Sequence, residues 1–174
     1  MRQKTVMTLI ALSILFTVCL LQKTSVTPAA KSVDLDIAVV GHVPVLQGEP
    51  RFHEIELRAM ISEEITQRYD AVMIMPSYLE EAAERKYATV YRKARIPFFF
   101  IGSQKSVEPF LDPNLSYEEG ISVSNPTFAA GMFYDGTQET SWLFGEGIER
   151  PNRSEQLQVY QSIFQTIEQS HFAK

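Results

Sequence analysis

Between positions 35 and 103, three short apolar runs alternate with two charged segments whose apolar residues recur at helical spacing. Residues 35–41, 69–75 and 96–102 have the length and near-continuous apolarity of strands covered on both faces, as parallel sheets require. The first intervening segment, 53–68, puts Leu57, Met60, Ile61 and Ile65 on one helix face and spaces Glu54/Arg58 and Glu64/Arg68 as i,i+4 pairs. In the second, Ser77-Tyr78-Leu79-Glu80 fits a capping box and opens a helix to about Arg95. Its inward face is Leu79, Ala83, Tyr87, Val90, Tyr91 and Ala94. The predicted core is β-α-β-α-β. Its last strand, Phe98-Phe99-Phe100-Ile101, is apolar enough to be central.

Beyond Ser103 the periodicity weakens. Residues 106–111 fit a helical turn and 120–124 a short strand. Asp135-Gly136, between 128–134 and 138–144, is a hairpin signal. Asn152, with Glu155 three residues on, caps a final helix whose inward face reads Leu157, Tyr160, Phe164, Ile167 and His171. The expected fold is therefore a single three-layer α/β domain, Rossmann-like or flavodoxin-like. It has a mostly parallel sheet, an edge hairpin and a C-terminal helix.

Residues 1–30 stand apart. Arg2 and Lys4 precede the uncharged run 5–21, whose 17 residues are long for the apolar part of a cleaved signal. They are also short of the roughly 20 residues that span a bilayer comfortably. The expectation is a signal peptide or an N-terminal membrane anchor over 1–30, followed by one domain over 31–174. That predicts an extracytoplasmic protein, secreted or tethered by a transmembrane segment, touching membrane only through 5–21 if it is uncleaved. Cys19 reads as an apolar residue of this leader, since Val18 is too bulky for the position before a lipid-modified cysteine. It is the only cysteine, so the remainder relies on its core rather than on disulfides.

After position 30 the chain carries 13 basic and 21 acidic residues, a net charge of −8. Such a surface repels nucleic acid and anionic lipid, so neither is an expected partner.

Three turns follow the strands, at Gly41-His42, Pro76-Ser77 and Gly102-Ser103. They are expected along one rim of the sheet, where open α/β folds hold ligands. His42, Ser77 and Ser103 are thus the candidate ligand-binding residues, with the 42–52 loop as a partial cover. The same rim permits an alternative, a serine-type hydrolase in which Ser77 or Ser103 pairs with His42 or His53 and Glu49 orients the imidazole. No Gly-x-Ser-x-Gly elbow surrounds either serine. His53-Glu54-Ile55-Glu56-Leu57 begins like a helical zinc-protease motif, but Leu57 stands where the second histidine belongs, and no metal site is expected.

Cofactors are not expected either. The turn Gly41-His42-Val43-Pro44-Val45 lacks the glycine pattern that admits a pyrophosphate, and the 41–48 interval lacks a phosphate-loop lysine. A phosphoacceptor aspartate would be needed where Gly102-Ser103 stands. The acid pairs Glu80-Glu81 and Glu118-Glu119 read as solvated surface. Phe128, Met132, Phe133, Tyr134, Trp142 and Phe144 read as core, or, if exposed, as a partner or sugar-stacking surface.

Residues 69–77, the helix after them and 94–102 together resemble one strand-helix-strand unit of an extracytoplasmic solute-binding protein. The likeness covers about 34 residues. Such receptors clamp a ligand between two lobes, and this chain has length for one. With the leader, the polar rim and no catalytic motif taken together, the expected function is an exported or membrane-tethered domain that binds a small ligand or protein partner without catalysis.

Overall fold

The computed structural model describes residues 34–46 and 50–171, all within one unit, Val33–Lys174. Residues 1–30, where a signal peptide or anchor is expected, and Glu49 lie outside the described residues. Three apolar runs form β1 (Asp36–Val40), β3 (Ala71–Ile74) and β4 (Phe98–Ile101), each buried along all or nearly all its length. They pair in parallel, β1 with β3 and β3 with β4.

The rest of the sheet overturns the Rossmann-like expectation. With β2 (Arg51–Ile55), β5 (Ala129–Tyr134) and β6 (Glu139–Phe144), six strands run in the order β2-β1-β3-β4-β5-β6, and the pairs β4/β5 and β5/β6 are antiparallel. The sheet is mixed, accompanied by five α-helices among the described residues, and is neither mostly parallel nor flavodoxin-like. The cause lies in the chain after β4. No helical crossover carries it to the far end of the sheet. Instead residues 102–128 loop back to the same end, where the Gly102 amide donates to the Phe128 carbonyl at 2.7 Å. The strand that starts there, β5 (Ala129–Tyr134), must run against β4. Its hairpin partner β6 (Glu139–Phe144) then becomes the edge. The Asp135-Gly136 turn forms as expected, with Asp135 Oδ1 accepting from the Thr137 and Gln138 amides at 2.6 and 2.8 Å.

A second correction concerns β2 (Arg51–Ile55), which was expected to be part loop and part helix. It pairs in parallel with β1 at the opposite edge. Phe52 turns toward one face of the sheet and Ile55 toward the other. Helical structure begins only afterwards, as a 3-10 turn Leu57–Ile61 and a single turn α1 (Ile65–Arg68). Glu64 and Arg68 do meet, at 4.0 Å, whereas Arg58 pairs with Glu56 rather than Glu54.

The second expected helix is interrupted. Pro76 starts a 3-10 turn through Tyr78, followed by α2 (Leu79–Ala82), a break at Ala83-Glu84, and α3 (Arg85–Lys93). Ser77 sits inside the 3-10 turn, so the capping box with Glu80 does not form. Of the expected inward face, Leu79, Ala83, Tyr87, Tyr91 and Ala94 are buried and Val90 is half-buried. Next come α4 (Glu108–Leu111) and, in place of the short strand expected at 120–124, a lone bridge between Lys105 and Ser122.

Helices cover both faces. One face packs β-strand residues Ala38, Val72 and Phe100 under α1 to α4, where Phe110 stacks on Phe100 at 3.6 Å and Tyr91 meets both rings edge-on. The other packs Ile37, Met73 and Phe99 under α5 (Arg153–His171) through Val159, Tyr160, Ile163 and Ile167. At the start of α5, Asn152 Oδ1 accepts from the Ser154 and Glu155 amides while Glu155 accepts from the Asn152 amide at 2.8 Å, the expected reciprocal cap. Leu157, expected inward, is 38% exposed.

Candidate functional site

The rim at the ends of β1, β3 and β4 was the expected site. The β1/β3 boundary is where the chain turns to opposite sides: Val43 and Leu46, after β1, pack with the α5 face, whereas α2 and α3, after β3, cover the other. Such a boundary usually leaves a crevice. Here the turns crowd it at two glycines. A side-chain carbon on Gly41, at φ +105°, would lie 3.0 Å from Met75 Cβ and 3.1 Å from the Tyr78 ring. One on Gly102, at φ +74°, would lie 2.9 Å from Pro76 Cγ. Glycine is required at both turns by backbone conformation and by crowding together.

The three candidate residues at this rim differ in access. His42 and Ser77 are exposed. Ser103 is fully buried: its hydroxyl donates to the Lys105 carbonyl at 2.9 Å and accepts from the Lys105 amide at 3.2 Å and from Tyr117 Oη at 3.4 Å. Neighbouring groups are engaged in the same way. Thr127 Oγ1 donates to the Ser103 carbonyl at 2.8 Å, and Lys105 Nζ donates to the carbonyls of Glu118 and Gly120, both at 3.0 Å. The Ser103 and Lys105 side chains therefore stitch the 102–128 loop together.

His53 is not at the rim. From the middle of edge strand β2, its Nε2 lies 2.7 Å from Asp36 Oδ1, at the beginning of β1 and so toward the opposite end of the parallel strands from Ser77. Asp36 also accepts from Arg51 Nη2 at 2.6 Å, and Arg51 reaches Asp34 as well. Hydrogen bonds from Arg51 first and His53 second hold the Asp36 carboxyl well below the usual carboxylate range. This is a half-exposed cluster that ties β2 to β1. Among the described residues, no group of three His, Cys, Asp or Glu side chains is placed to hold a metal, and no helix is long and apolar enough to cross a membrane.

A concavity of a different kind lies elsewhere, between α1 with its preceding turn and α3. It has a volume of about 460 Å³. Buried Met60, Ile65 and Ala94 and half-buried Val90 form an apolar floor, and Ile61, 55% exposed, stands at its wall. Lys86, Thr89, Val90 and Lys93 reach it from one face of α3, at the i, i+3, i+4 and i+7 spacing of a helical stripe. Lys86 is engaged by Glu84 at 2.9 Å, whereas Lys93 has no ion pair among the described residues. Two smaller hollows, about 310 and 380 Å³, lie beside the 113–119 loop and between the end of β6 and α5.

Sequence reasoning misses this groove because the spacing over 53–68 and 77–95 reads as two long, separate helices. The signal available was Ile61, an apolar residue in a run of Ser62, Glu63 and Glu64. Comparisons with protein-family models, with curated proteins and with solved structures find no match.

Proposed function

We propose that this chain is an exported or membrane-tethered domain that binds a small molecule without catalysis, and that its ligand has an apolar body and a single anionic end. The observation that carries the reading is the α1/α3 groove, whose apolar floor is flanked by Lys86, paired with Glu84, and by Lys93, which has no ion pair among the described residues, on a chain that is otherwise strongly acidic. Concave sites with an apolar lining and a few converging polar groups are where small ligands bind. An apolar body on Met60, Ile65 and Val90 with its anion at Lys93 satisfies both kinds of lining. Export rests on the 5–21 run behind Arg2 and Lys4.

Thermal shift of full-length protein with decanoate tests the binding reading, with decylamine as the opposite-charge control. Decanoate should raise Tm, decylamine should not, and Lys93→Glu should remove the decanoate effect while His42→Ala keeps it. No shift, or a shift equal in wild type and Lys93→Glu, overturns the groove assignment. Loss of the shift in His42→Ala returns the site to the rim. Mass spectrometry of the native N-terminus separates a cleaved leader from a retained anchor.

A further inference from the structure

The sheet has two edges, and they are built differently. Three of the five residues of β2, Arg51, His53 and Glu54, are charged or titratable, the kind of guard that stops an edge from recruiting another strand. At the other edge β6 has one charge, Glu139 at its start, followed by Thr140-Ser141-Trp142-Leu143-Phe144. It contains no proline, lysine or arginine. Its pairing with β5 runs without a bulge from Glu139↔Tyr134 to Phe144↔Ala129, so the strand is regular along all six residues. Among the described residues no strand pairs with its outer side. Its outward amides and carbonyls form a template for one more strand.

We infer that β6 pairs antiparallel with β6 of a second copy of this chain, making a two-fold dimer with one continuous sheet. The sequence of the strand selects this occupant. A two-fold axis normal to the sheet keeps each face on its own side and places one residue opposite itself. With Trp142 on the axis, Trp142 meets its counterpart and Thr140 meets Phe144 of the other copy, both on the α5 face, where Trp142 already stacks on Phe99 at 6.3 Å. On the opposite face Ser141 meets Leu143, which is 41% exposed in the single chain. Aromatic and aromatic–threonine pairs are favourable cross-strand neighbours. Glu139 falls opposite Gly145, so neither strand sets its charge against an apolar side chain or against its own copy. The hollow of about 380 Å³ between Phe144 and α5 lies on the side where Thr140 of the second copy enters.

Sedimentation velocity of full-length protein from low to high micromolar concentration tests this pairing, together with amide hydrogen exchange over 139–144. Wild type should move from monomer to dimer as concentration rises, with slower exchange in β6 at the higher concentrations. Thr140→Lys/Ser141→Lys alters two exposed positions. It should stay monomeric, with an unchanged Tm at low concentration and β6 exchange independent of concentration. A monomeric wild type at every concentration overturns the inference. So does a dimer that persists equally in the double-lysine variant, which would place the contact elsewhere on the chain.

Discussion

His53 Nε2 lies 2.7 Å from Asp36 Oδ1, so the edge strand is fastened to its neighbour by an imidazole-carboxylate contact beside the Arg51-Asp36 ion pair. Because these partners depress the folded-state pKa of Asp36, its stabilising effect is complete above the unfolded value, about 3.9. It is lost as pH falls through the lower folded value. Asp36→Asn should therefore lower Tm at pH 7, and the gap to wild type should narrow only below about pH 4. Parallel melts from pH 3 to 7 check this; a gap that closes already near pH 6 contradicts it.

Tyr91 and Tyr87 sit one turn apart on α3, both with 0% exposure, and differ in one respect. Tyr91 Oη donates to the Ala82 carbonyl at 2.7 Å, whereas Tyr87 Oη has no hydrogen-bond partner among the described residues, and Lys86 Nζ lies over its ring at 4.9 Å. Removing the first hydroxyl strands the buried Ala82 carbonyl at a cost of about 1–3 kcal/mol, while removing the second relieves an unpaired polar atom. Denaturant unfolding should show Tyr91→Phe destabilised by that amount and Tyr87→Phe unchanged or more stable. Equal losses would refute the assignment.

Gly102→Ala should cost about 1–3 kcal/mol for its left-handed backbone conformation. The 2.9 Å approach to Pro76 Cγ should push it toward the upper end. The loss should reside in the rim itself, so amide exchange in the 102–105 turn should rise more than in β1. A neutral substitution would mean that the rim is open enough to accept a side chain.

Burial decides what was legible in the sequence. β1, β3 and β4 are covered on both faces, and such strands have no choice but to read as continuous apolar runs. The β5–β6 turn announced itself through Asp135-Gly136, and α5 through Asn152 and Glu155. β2 was hidden because an edge strand needs only Phe52 and Ile55 for its two faces. With Arg51, His53 and Glu54 between and beside them, that pattern passes for an amphipathic helix. The antiparallel half was hidden for a different reason: the direction of β5 depends on the 102–128 loop returning to the same end of the sheet, a long-range fact with no local signature. The rim residues were placed at strand ends correctly as turns, but the packing of Tyr78 on Gly41 and the burial of Ser103 are tertiary, as is the groove between α1 and α3.

The most direct measurement is amide chemical-shift mapping of full-length protein titrated with decanoate. Saturable perturbations should concentrate on 60–67 and 86–94, leaving Gly41, His42, Ser77 and Gly102 unmoved. Perturbations centred on those four residues, or none that saturate anywhere, would contradict the groove as the binding site.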